Sequence, residues 1–123
     1  MYEMDFLIGS AALLALDSVY LGVAKSSWRK MISDIQGSDL QVRLLPAIGV
    51  YVLMSFALHY FVIKQSRGVY DAALLGFIIY GVFDLTNAAM FKKYKLLPAF
   101  VDMVWGAILF GTSAFVVKSL LKL

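Results

Sequence analysis

Four apolar runs of membrane-spanning length decide what this chain can fold into. They are Phe6–Ala24, Leu44–Ile63, Ala72–Phe91 and Leu96–Val117, of 19, 20, 20 and 22 residues, and they take up 81 of the 123 positions. A helix needs about 20 apolar residues to cross a hydrocarbon core of about 30 Å. In lipid, backbone groups must also be bonded within the segment or its partners. The expected fold is therefore all-α: a polytopic membrane protein with four transmembrane helices in an antiparallel bundle. The connections of 8 and 4 residues between the later spans permit little else. Charge is correspondingly scarce, at 15% of residues against about a quarter in soluble domains.

Other classes fall away for want of the right side chains. There is no cysteine, so disulfides, thiolate metal sites and cysteine nucleophiles are excluded. A single histidine, His59, cannot build a multi-His zinc site and leaves little for a Ser-His-Asp triad. The leader Met1-Tyr2-Glu3-Met4-Asp5 is acidic, whereas a removable signal peptide begins basic, so the first run reads as a retained span. The 42 residues outside the spans leave one domain over 1–123 and no linker. No cofactor is implied. The net charge of +3 sits in short loops, where it reports orientation and not nucleic-acid binding.

Lys25, Arg29, Lys30, Arg43, Lys92, Lys93 and Lys95 fall on one side of the membrane, and Lys64, Arg67, Lys118 and Lys122 on the other. Basic residues favour the cytosol, so both termini are expected on the non-cytosolic side of a cell membrane or a viral internal membrane. Within Lys25–Arg43, Trp28, Met31, Ile32 and Ile35 recur at helical spacing, Ser26 or Ser27 can start a helix and Gly37 can end it. This predicts a short interfacial amphipathic helix between the first and second spans, anchored by Trp28, Ile32 and Ile35; the plainer alternative is a simple connector. The run Lys92-Lys93-Tyr94-Lys95 reads as a further surface anchor or, less simply, a lipid-headgroup site. Small residues at Ala11/Ala15, Ala72/Gly76 and Ala107/Gly111 suit close helix contact. Leu16-Asp17-Ser18-Val19-Tyr20 and Val101-Asp102-Met103-Val104-Trp105 share a pattern too short to establish a repeat.

Three aspartates lie inside the spans, where each costs about 2.5–3.5 kcal/mol even on the gentler insertion scales. Asp17 lies eight residues before Lys25, Asp84 eight before Lys92, and Asp102 seven after Lys95. At 1.5 Å per residue they share one layer about 10–12 Å below the same surface. Tyr51, eight residues after Arg43, reaches that layer from the second span. Tyr80, Asp84 and Asn87 follow one face of the third span, with Thr86 beside them, and Trp105 stands just beyond Asp102. No Lys or Arg lies within a span to neutralise the acids. Three unpaired carboxylates cannot all stay ionised there: they hold protons, bind a cation, or open onto water. Alternatively, protonated aspartates fasten helices by hydrogen bonds to Tyr, Asn, Thr or backbone groups. His59, five residues from Lys64, reads as an interfacial histidine before a proton relay.

Leu16-Asp17-x-x-Tyr20-Leu21-Gly22, Tyr80-Gly81-x-Phe83-Asp84-Leu85-Thr86-Asn87 and Val101-Asp102-x-x-Trp105-Gly106 resemble the motifs of a family of small four-helix membrane proteins. It is the domain-of-unknown-function family 2177, with members in bacteria and in some large DNA viruses. The resemblance covers nearly the whole chain and departs from the family pattern at Phe83, where a tyrosine is common. It implies a fold and groups Asp17, Asp84, Asn87, Asp102 and Trp105 as a unit, without naming a chemistry.

Three functions stay open. The first is binding or moving protons, a hard cation or a small polar or cationic ligand through Asp17, Tyr51, Tyr80, Asp84, Thr86, Asn87, Asp102 and Trp105. The second is a structural or scaffold role in a membrane, and the third is an intramembrane lipid-modifying enzyme. The expected partners are the lipid bilayer and, for a carrier of only four helices, a second copy in a homodimer.

Overall fold

The computed structural model describes residues 2–121, so Met1, Lys122 and Leu123, and with Lys122 one of the charges used for orientation, lie outside it. Four helices account for nearly all of it: α1 (Tyr2–Gln36), α2 (Leu44–Leu58) with a π-helical turn at its end (His59–Ile63), α3 (Val69–Met90) and α4 (Leu96–Leu121). Each is long and apolar enough to cross a membrane, α2 together with its π turn. The chain is an all-α membrane protein with four candidate transmembrane helices.

Local chemistry sets the ends. The same four residues, Leu-Leu-Pro-Ala, begin α2 (Leu44–Ala47) and α4 (Leu96–Ala99). Proline in a first turn gives up only an N–H that has no intrahelical partner. Gly37, at φ +77°, and Ser66, at φ +55°, stop α1 and the π turn in the left-handed conformation that ends helices. The Gly37 N–H returns to the Ser33 carbonyl, and the Arg67 N–H to that of Val62.

The short helix expected between the first two spans is not a separate element; it is the last third of α1. The reason is an unbroken stripe at three- and four-residue steps: Asp5, Gly9, Leu13, Asp17, Tyr20, Ala24, Trp28, Met31 and Ile35, all buried or half-buried. Lys25, Arg29 and Lys30 interrupt the hydropathy but not this periodicity, and no breaker precedes Gly37. Beyond the hydrocarbon region Trp28, Met31 and Ile35 pack on Tyr94, Ala88 and Ala99. Ile32 is half-buried, whereas Lys92, Lys93 and Lys95 are exposed.

The helices pack α2 on α1, α1 on α4 and α4 on α3. Paired contacts show each of these neighbours to be antiparallel. Gly9 meets Leu58 and Val117 near one end of α1, while Tyr20 stacks on Trp105 at 4.8 Å further along. The tightest crossing is α3 on α4, where a Cβ on Gly106 would stand 2.6 Å from the Gly76 carbonyl oxygen and one on Gly76 would collide with Gly106. Leu13, Leu58, Val62, Leu109, Phe110, Ala114 and Val117 fill the interior.

Candidate functional site

The crossing at Gly76 and Gly106 draws α3 onto α4 within two turns of the aspartates, and the layer read from lysine spacing forms there. Asp17 is 5% exposed, Asp84 fully buried and Asp102 6% exposed. The layer lies in the half of the bundle toward the α1–α2 and α3–α4 connections, here called the loop face; the opposite end is the terminal face.

Asp17 joins all four helices. Its carboxylate accepts a hydrogen bond from the Tyr51 hydroxyl on α2, from Trp105 Nε1 on α4 at 3.0 Å, and a long one from the Tyr80 hydroxyl on α3 at 3.5 Å. Asp102 accepts from the Tyr20 hydroxyl on α1 at 3.0 Å, and the Tyr20 ring lies flat on Trp105, which links the two aspartates through one aromatic stack. Every donor is neutral, so the charge of the layer is nowhere cancelled by a cation. The nearest ion pairs, Arg29–Asp39 and Arg67–Asp71, are exposed at the two faces.

Asp84 forms the deepest part. Its Oδ1 accepts the Tyr94 hydroxyl at 2.6 Å, while its Oδ2 is sealed from solvent with no N–H or hydroxyl donor aimed at it. The Asp102 carboxyl is close enough to Asp84 to feel its charge. Two carboxyl groups can bond to each other only when one carries a proton. Tyr94 itself sits in the α3–α4 connection, outside the spans. Burial first, then its bond to Asp84, holds its phenol well above the usual tyrosine range, so it remains a donor. Tyr94 also lines an open depression of about 670 Å³, shared with Asp34, Lys92, Lys93, Lys95 and Leu96. Tyr94 is thus shared by the buried Asp84 carboxyl and the loop face.

Of the residues singled out in the sequence, Asp17, Tyr51, Tyr80, Asp84, Asp102 and Trp105 come together. Asn87 is half-buried and reaches the Tyr94 hydroxyl. Thr86 does not join them: two residues past Asp84, it is turned to the outer side of α3, exposed in an apolar groove with Gly81 and Met103. Two donors were passed over. Tyr20 is signalled by its position three residues after Asp17 on the same stripe. Tyr94 is signalled only by being the one aromatic in a run of lysines. Among the described residues no group of three or more His, Asp or Glu side chains is placed to hold a metal ion, so the oxygens form a pair and a separate single carboxylate, not a cage.

Neither a curated protein nor a solved structure matches the chain. The profile of the DUF2177 family, described as predicted membrane proteins, matches residues 2–118. The chain belongs to that family.

Proposed function

We propose that the protein is a proton-handling membrane protein whose Asp84–Asp102 pair holds a proton that it exchanges with the loop face through Tyr94. The observation that supports this reading is the sealed Asp84 Oδ2 near a second carboxyl, with one neutral tyrosine hydroxyl donated to each aspartate. A proton between the two groups supplies the missing hydrogen bond and halves the buried charge. A bound metal or a bulky cation is less well supported, because the oxygens are not arranged as a ligand set. Tyr94, bonded to Asp84 and lining the depression, is the group through which a proton passes.

Asp17 supports a second, structural component. It takes three neutral donors from three other helices, the arrangement of a fastener. In this reading Asp17 holds the bundle together and joins, through Trp105 and Tyr20, the Asp84–Asp102 pair that keeps the proton.

Infrared difference spectra in the protonated-carboxyl region, recorded on the reconstituted protein as pH is stepped, test the proposal. The expected result is a band that responds to pH, is lost or shifted in Asp84→Asn and in Asp102→Asn, and persists in Asp17→Asn. A spectrum with no pH-responsive carboxyl band overturns it.

A further inference from the structure

Toward the terminal face, three sealed oxygens that no described function uses have no hydrogen-bond partner among the described residues: Asp5 Oδ1, Ser10 Oγ and Ser113 Oγ. Asp5 is 4% exposed and Ser113 is fully buried. An unbonded buried polar group costs about 1–3 kcal/mol, and native proteins satisfy such groups with ordered water.

Their positions follow one seam. Gly9 faces Leu58 and Val117, so Asp5 and Leu13, one turn to either side, share its face of α1. Ser113 lies one turn before Val117 on α4, and because the helices are antiparallel it stands at the level of Leu13. Ser10 adjoins Gly9. Asp5 and Asp17 are then about 18 Å apart along the axis of α1, with the two hydroxyls between them. Leu13, level with Ser113, and Leu109 and Phe110 beyond it, all fully buried, close the way from the hydroxyls to Asp17. The π turn packs on the start of α1 and sets His59 edge-on to Phe6 at 5.7 Å, which covers the Asp5 end. The ionisable groups around that end are Asp5, Glu3, His59 and Lys118, and Asp17 stands at the inner end.

We infer that the α1–α4 seam is a water-binding proton path from Asp5 to Asp17, closed in this conformation by Leu13. Water held on Asp5, Ser10 and Ser113 passes a proton inward: each oxygen gains one O–H bond and gives up another, so the hydroxyls end as they began and the proton passes on toward Asp17. The apolar segment at Leu13 interrupts the water file and gates it by excluding water. The inference rests on the proton-handling reading of the carboxyl layer and adds access from the opposite side of the membrane.

The test uses the full chain in phosphatidylcholine–phosphatidylglycerol liposomes with entrapped pyranine, a pH step, and valinomycin with equal potassium to clamp the potential. Leu13→Ser, with Leu13→Ala as the variant that keeps the position apolar, is compared with the same change combined with Asp5→Asn or with Ser113→Ala. Thermal unfolding checks that each variant folds, and the carboxyl infrared band is recorded in parallel. Leu13→Ser is expected to raise proton flux about tenfold or more over wild type, and either second change to return it to the wild-type level, as loss of one positioned proton-transfer group does. Flux no faster in either Leu13 variant than in wild type overturns the path, as does a raised flux that Asp5→Asn and Ser113→Ala leave untouched. Either failure with the pH-responsive band intact removes only the path. A flux that obeys the seam variants while the band is absent keeps the path and removes the carboxyl pair.

Discussion

Tyr94 in the α3–α4 connection and Asp84 ten residues earlier within α3 are joined by a 2.6 Å hydrogen bond that folds the connection back onto the end of the bundle. The ring lies 6.0 Å from Trp28 and packs with Met31 and Ala99, and the Lys95 N–H points at the Met31 sulfur at 3.2 Å. One phenol therefore ties a loop, the extension of α1 and a buried carboxyl into a single unit.

Removing that hydroxyl leaves Asp84 Oδ1 without its donor. Tyr94→Phe should lower stability by about 1–3 kcal/mol, read as a shift of the unfolding midpoint in detergent. It should also slow the pH response of the carboxyl infrared band. Wild-type stability in Tyr94→Phe would mean that water replaces the phenol.

The α3–α4 crossing is intolerant of side chains. Gly106→Ala and Gly76→Ala should each cost about 1–3 kcal/mol or more through overpacking, because the new methyl meets backbone or the Tyr80 ring and not a flexible side-chain end. Gly22→Ala meets nothing within 4 Å and should gain about 0.5–1 kcal/mol. Equal midpoints for the three variants would contradict the crossing.

Asp17→Asn keeps a carbonyl oxygen to accept from Trp105 but sets an amide donor among hydroxyls that can turn to accept it. It should fold with little loss. Asp17→Leu leaves Trp105 Nε1 and two hydroxyls without their acceptor and should cost several times as much in the same unfolding assay, at about 1–3 kcal/mol per orphaned group. Asp17→Leu as stable as Asp17→Asn would remove the fastener role.

The connection between α1 and α2 carries its own pH dependence. The Arg29 guanidinium, hydrogen-bonded to Asp39 at 2.7 Å, holds that carboxyl below the usual range, helped by the Leu40 N–H. Because the folded value is depressed, the contribution is present above the ordinary value of about 3.9 and is lost as pH falls through the lower folded value. Both groups are exposed, so the effect is local. The Leu40 amide resonance should move with acid below about pH 4 in the wild type and not in Asp39→Asn.

The absence of cysteine allows the sidedness to be measured one site at a time. Lys30→Cys and Lys93→Cys should react with an impermeant thiol reagent from one side of the membrane, and Glu3→Cys and Arg67→Cys from the other. Labelling of Lys30→Cys and Arg67→Cys from the same side would contradict four crossings.

How much of this was legible in the sequence depends on what kind of signal each feature leaves. Asp17, Asp84 and Asp102 announce their common depth, because helical rise converts residue counts into ångströms and the lysines mark the surface. Their partners Tyr51, Tyr80 and Trp105 follow from the same arithmetic. Thr86 shares the depth of the aspartates but not their face, because depth says nothing of azimuth: two residues past Asp84 is about 200° around the helix. Tyr94 was hidden because a hydropathy run ends at a loop, and nothing in Lys92–Lys95 says that the loop folds inward. The unbroken course of α1 was hidden for the converse reason, since the lysines that end a hydrophobic run leave a three–four stripe intact.

That unbroken course has a mechanical consequence. At 35 residues α1 is about 52 Å long, more than a hydrocarbon core of about 30 Å requires, and its last third rests on Tyr94. A helix of this length curves gently and does not fold up, so it transmits tilt along its length. Its outer arm ends near Ile35 and Gln36, and its inner arm carries Tyr20 and Asp17. A push on the outer arm is therefore delivered along the helix to Asp17 itself and, through Tyr20, to Asp102.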